Sequence, residues 1–174
     1  MDKLFVYLDG GARGEPGEAG IGIAMTDADG GVVEEISRLI GRSTTEVAEY
    51  RALIEACRSA IPYKPETVIF FTDNQRLANH VNGVFETREP HIKHLVEIAM
   101  GLLNQFPQWR VNYVDAKVNL RAPRLVEQAF HRTIKAQMTR ERLELLLLAR
   151  TAALSEAALE KLVNYAERLE DEGS

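Results

Sequence analysis

Apolar and polar positions divide this chain into short strand-like runs followed by helix-like stripes. Leu4–Leu8 is a nearly unbroken apolar run, which predicts a central strand buried on both faces. Ile21–Met25 and Val32–Leu39 predict two more strands around the turn-forming Asp27–Gly31 segment, where Asp29-Gly30-Gly31 is a hairpin signal. Between the first two runs lies GGARGEPGEAG, dense in glycine with one proline, which predicts a loop or tight turn. Together these segments predict an antiparallel three-stranded meander.

The period then lengthens. Ala48, Ala52, Leu53, Ile54, Ala56 and Cys57 recur at helical spacing, with Thr44 or Thr45 available as N-cap and Pro62 and Pro65 as terminators. Val68–Phe71 reads as a short strand. A helix through Leu77, Ala78 and Val81 follows and stops at Asn82-Gly83. Pro90 precedes a helix over Ile92–Phe106, and Trp109–Val114 alternates as a fifth strand. Strands first, then alternating helix and strand, predict an α/β fold with a mixed sheet flanked by helices. From about Thr133 the composition shifts to Leu, Glu, Arg and Ala. Leu143, Leu146 and Leu147 form one stripe; Leu159, Leu162, Val163 and Ala166 form another, with Ser155 as N-cap. The expected organisation is a main domain over residues 1–132 and a C-terminal helical hairpin over residues 133–174. The apolar faces of that hairpin must bury against each other, the main domain or a second copy, so a homodimer through these helices is one expectation.

Composition narrows the options. A length of 174 residues suits one ordinary domain with a small appendage, and 45% hydrophobic residues can fill a core. No apolar run approaches a membrane span, and the segment before Asp9 is too short for a signal peptide. The single cysteine, Cys57, excludes an internal disulfide and fits a reducing compartment, so cytoplasm is expected. A net charge of −5 argues against gripping nucleic acid by bulk electrostatics, which leaves only local contacts.

Three carboxylates change the picture most. Asp9 and Asp73 directly follow apolar runs that read as strands, and Glu49 lies on the first helical stripe. Acidic groups at the ends of buried strands carry a solvation cost unless a cation meets them. Oxygen ligands from several elements suit Mg²⁺ or Mn²⁺ and point to metal-assisted phosphodiester chemistry.

Their contexts are specific. DGGARGEPGEAGIG resembles the first-strand motif of the type 1 ribonuclease H family. TTEVAEYRALIEA is similar to its Thr-Asn-Asn-x-Ala-Glu-Tyr helix, and TDNQRLANHVNG to its Thr-Asp-Ser-Gln segment. The likeness spans roughly residues 3 to 132. It implies a ribonuclease H-like fold: a five-stranded mixed sheet flanked by helices, strands 1 to 3 antiparallel, here with the added helical hairpin. It also implies a two-metal endoribonuclease acting on RNA–DNA hybrids or RNA. In that reading Asp9 bridges two Mg²⁺ (or Mn²⁺) ions and Glu49 and Asp73 complete the shell of the first. The resemblance places Gly10, Gly11, Arg13, Thr45 and Asn74 against nucleic acid, the glycines because they leave backbone amides unobstructed.

Two departures stand out. The family's paired Asn fall on Thr45 and Glu46, and a Glu there repels phosphate. In Asn119-Leu-Arg-Ala-Pro123, proline occupies the place of the family's fourth carboxylate. Proline has no ligand atom, though it suits a helix's first turn. Glu127, one turn further on, and Asp115, on the preceding strand, are the candidate replacements. A weakened second metal site predicts a slow or Mn²⁺-preferring nuclease. The alternative is a catalytically impaired nucleic-acid-binding or interaction module on the same scaffold. His91 and His94 read as an exposed helix face, and Trp109 as a half-exposed strand residue.

Overall fold

The computed structural model describes residues 1–152 and 154–172. Five strands form one sheet: β1 (Lys3–Gly14), β2 (Gly17–Thr26), β3 (Val32–Ser43), β4 (Thr67–Thr72) and β5 (Gln108–Tyr113). Their spatial order is β3-β2-β1-β4-β5. The β1–β2 and β2–β3 pairs are antiparallel, whereas β4 lies parallel to both β1 and β5. The helices are α1 (Thr45–Ala60), α2 (Gln75–Val81), α3 (Pro90–Leu103), α4 (Arg121–Thr151) and α5 (Glu156–Glu172). The mixed α/β architecture expected from the sequence is thus the one found.

Differences in detail have physical reasons. The glycine-rich segment is strand rather than loop: β1 continues to Gly14 and β2 begins at Gly17, leaving a tight turn at Glu15-Pro16, whose peptide bond is cis. Glycine serves there to admit neighbouring backbone, a use that strand glycines share with turn glycines. A Cβ on Gly10 would lie 2.5 Å from the Glu49 backbone nitrogen, and one on Gly22 would lie 2.8 Å from that of Val126. Because Gly10 opens toward α1 while Gly11 faces the Val126 side chain, α1 and α4 press on opposite faces of the β1–β2 pair.

β1 itself alternates. Leu4, Val6 and Leu8 are fully buried, while Phe5 and Tyr7 are only half-buried and stack on Phe71. The expectation of burial on both faces is corrected accordingly. Leu4, Val6 and Leu8 belong to a core shared with Ile21, Ile23 and Phe70 of the sheet and Leu53 of α1. Thr44, rather than Thr45, caps α1 through its hydroxyl, which accepts from the Val47 N–H. A 3₁₀ turn at Ile61–Tyr63, with Pro62 inside it, follows α1. The third helix stops at Leu103 rather than Phe106. A buried Tyr50–His80 hydrogen bond joins α1 to α2.

The chain divides into two compact units, Met1–Arg132 and Thr133–Ser174. The helix expected to begin near Thr133 is instead a continuation of α4, which starts at Arg121, and its residues through Arg132 belong to the first unit. There Ala122, Leu125, Val126, Ala129 and Phe130 are buried, and the Ser37 hydroxyl donates to the Leu125 carbonyl at 2.6 Å. Pro123 sits in the first turn of α4, where its missing N–H removes no helical bond. In the second unit Ser155 immediately precedes α5, its carbonyl accepting from the Leu159 N–H.

Candidate active site

Three elements bring the carboxylates together. Asp9 lies on β1 opposite Gly22, Glu49 projects from the first turns of α1, and Asp73 follows the end of β4. The parallel register of β1 with β4 sets Asp9 and Asp73 at the same edge of the sheet. The missing side chain at Gly10 is what allows α1 to approach closely enough to bring in Glu49.

Electrostatics confirms their proximity. Burial first, then the charge of Asp73, pushes the Asp9 carboxyl up to about 7. Hydrogen bonds from Gly10 and Glu49 oppose that rise, and Glu127 adds a small increment to it. Glu49, only 8% exposed, is likewise pushed well up, by burial first and then by the charges of Asp9 and Asp73. Burial and the neighbouring charges thus favour the neutral forms of Asp9 and Glu49, which are hydrogen-bonded to one another. The other Glu49 oxygen, Oε2, is buried and has no hydrogen-bond partner. Among the described residues, no three His, Cys, Asp or Glu side chains are gathered tightly enough to hold a metal ion as they stand. The donor set is nonetheless all oxygen, mutually repulsive and partly unsatisfied, which fits a hard divalent cation.

Asn119 is the residue whose role sequence reasoning missed. It is fully buried, and its Nδ2 donates to the Leu8 carbonyl at 3.0 Å and to Asp73 Oδ1 at 3.1 Å. It thereby fixes Asp73 against the residue preceding Asp9. The available signal was its match to the last motif together with an amide side chain just before an apolar helix.

The remaining candidates are dispersed around this centre. Gly10 is buried, with its amide directed to the carboxylates. Gly11 is half-buried beneath Val126. Thr45 Oγ1 accepts from the Ala12 N–H at 3.3 Å and donates to Glu15. Asn74 caps α2, its Oδ1 accepting from the Leu77 N–H at 3.0 Å. Arg13 lies 4.3 Å over the Phe130 ring and 3.4 Å from Glu127. The charge of Glu46 is met by Arg76 at 2.7 Å, and Arg76 also binds Glu89 at 2.8 Å.

Of the candidate fourth carboxylates, Asp115 is exposed and turns back to accept from the Lys117 N–H at 2.8 Å. Glu127 faces Arg13 and is 62% exposed. His91 and His94 are exposed, and Trp109 is half-buried. No described helix is long and apolar enough to cross a membrane.

Comparison with known proteins agrees with this geometry. The family profile described as Reverse transcriptase-like matches residues 7–129. Ribonuclease HI of Halobacterium salinarum is 33% identical over 127 residues, which cover 73% of this chain and 64% of that protein. The chain thus spans a little under two thirds of that relative's length. The crystal structure of RNase H1 from the same archaeon superposes with a TM-score of 0.72 at 32% identity, covering 74% of this chain and 98% of that one. LC11-RNase H1 in complex with an RNA/DNA hybrid gives 0.71 at 31% identity, covering 75% and 99%.

Proposed function

This chain belongs to the ribonuclease H proteins of the Reverse transcriptase-like family, and from that membership we propose that it is a metal-dependent endoribonuclease hydrolysing the RNA strand of RNA–DNA hybrids. The observation that carries the reading is the convergence of Asp9, Glu49 and Asp73 from three elements, close enough that Asp9 and Glu49 are hydrogen-bonded and both feel the charge of Asp73.

Asp9, Glu49 and Asp73 would hold the divalent ions, Mg²⁺ or Mn²⁺. Two such ions, when bound, supply charge stabilisation at the attacking and leaving oxygens of an in-line displacement at phosphorus. The chain's own part is to hold the carboxylates in place and ionised. Asn119 donates to Asp73, the Gly10 amide donates to the carboxylates, and the Glu49 proton is displaced when a cation arrives. Gly11, Arg13, Thr45 and Asn74 are assigned to the nucleic-acid side of this centre, and Gly10 to the close approach of α1. Hybrid binding is supported by the likeness to a relative whose structure contains an RNA/DNA hybrid. Pro123 withholds the ligand of the second ion and makes the enzyme slow or Mn²⁺-preferring. Cys57, fully buried and with its thiol pushed well up by that burial, suits a cytoplasmic protein.

Pro123 also favours a second reading, a nucleic-acid-binding module with impaired catalysis. Incubating the full chain with a labelled RNA–DNA hybrid in Mg²⁺ or Mn²⁺ separates the two. The enzyme reading expects cleavage that Asp9→Asn lowers about 1,000-fold, the equivalent of several kcal/mol of lost charge stabilisation. Hybrid binding without cleavage by the folded chain, in either ion, selects the second reading.

A further inference from the structure

The second unit leaves its largest side chains in water. Within α4, Leu143 and Leu145–Leu148 are all exposed, Leu145 and Leu148 by 68% and 67%. On α5, Leu159, Leu162, Val163 and Tyr165 are exposed as well. The two helices differ in how their apolar positions are distributed. At 100° per residue, Leu159, Leu162, Val163 and Ala166 fall on one side of α5. The leucines of α4 go round the helix instead: Leu143 and Leu147 point one way, Leu145 and Leu148 roughly the opposite way, and Leu146 between them. Over residues 143–148 leucines thus reach several sides of the helix, with Glu144 between them, and a single one-sided neighbour covers only part of them.

Size and charge identify the missing cover. A segment of roughly forty residues cannot bury a core of its own, but two copies supply the four helices of a bundle. Residues 133–151 carry four Lys or Arg against two Glu, whereas residues 156–172 carry six Asp or Glu against two Lys or Arg. A basic α4 and an acidic α5 complement each other between copies as well as within one. Two α4 helices in direct contact would instead repel.

We propose that the C-terminal helices form a homodimer in which the ringed α4 of each copy is enclosed between its own α5 and the α5 of a second copy. This inference is independent of the nuclease reading. Sedimentation equilibrium or light scattering of the full chain over a dilution series tests it.

The expected result is a species of twice the chain's mass of 19.5 kDa, which Leu145→Glu/Leu148→Glu converts to the monomer. Both positions are exposed and glutamate is a good helix former, so far-UV circular dichroism should be unchanged. Should that variant misfold, Leu162→Glu/Val163→Glu makes the same test from α5. Arg140→Glu/Arg142→Glu should shift dissociation to higher protein concentration, and unchanged association would overturn the α4-on-α5 pairing. A wild-type chain monomeric throughout the series, or a dimer that survives both leucine-face variants, would overturn the proposal. Hybrid cleavage followed in parallel separates the two readings, since a monomeric variant that still cleaves leaves the nuclease intact.

Discussion

The two flanks of the carboxylate site are built in opposite ways. On the flank made by β1, α1 and β4, the acids are partly or fully buried, bonded to backbone and to Asn119, and set by a glycine that admits no side chain. On the α4 flank, Pro123 offers no ligand, and Glu127 stands in solvent with Arg13 as its neighbour. Close packing sets the first flank, whereas the second is held by exposed charges worth little individually. The difference teaches that the placement of Asp9, Glu49 and Asp73 is specified by the fold, whereas the α4 flank is left to weaker means.

The largest effect should come from breaking the packed flank. Gly10→Ala would force a methyl against the α1 backbone at Ala48 and Glu49, neither of which can step aside without moving the helix. A loss of about 3 kcal/mol in urea-unfolding stability is expected. A loss under about 1 kcal/mol would mean that α1 is not tightly seated, and the contrast between the flanks would fail.

Proton linkage gives the next largest effect. Asp9 has a folded-state pKa of about 7, above its unfolded value near 3.8. Protonation therefore stabilises the fold fully below about pH 4, and that stability is lost as pH rises through 7. In chelator the thermal midpoint should fall between pH 5 and 8, by the equivalent of about 2 kcal/mol after allowing for partial solvent exposure. Adding Mg²⁺ or Mn²⁺ should reverse the fall. A midpoint that climbs over the same range in chelator would contradict the raised Asp9 carboxyl.

The smallest effect belongs to the open flank. Glu127→Gln should change hybrid cleavage by no more than about threefold, as expected of an exposed ion pair. A drop of about a hundredfold would instead make Glu127 the displaced fourth ligand and bring the two flanks closer in kind.

The sequence made some of this legible and left some of it hidden. The succession of strands and helices and the three acids could be read because alternation, turn residues and long local motifs are all short-range signals. The glycine-rich segment misled because the same residue serves turns and close backbone approach, and only the partner across the gap distinguishes them. That partner, Ala48 of α1 for Gly10 or Val126 of α4 for Gly22, is remote in sequence. Asn119 was visible as a motif match, but its two acceptors, on β1 and just after β4, lie far upstream. A helix beginning near Pro123 was legible, but its unbroken run to Thr151 was missed because the change in composition near Thr133 was taken for a helix boundary.

The Asn119 hydrogen bond to Leu8 spans 111 positions of the chain. A ribosome releases Asp9, Glu49 and Asp73 well before it releases Asn119, so the emerging polypeptide carries all three acids before it carries the group that aligns two of them. Closing so long a loop adds only a modest entropy cost to the finished fold, and it makes the setting of Asp73 against β1 depend on a residue synthesised near the end of the first unit. A chain ending before Asn119 would thus hold the three acids without the amide that bonds Asp73 to β1.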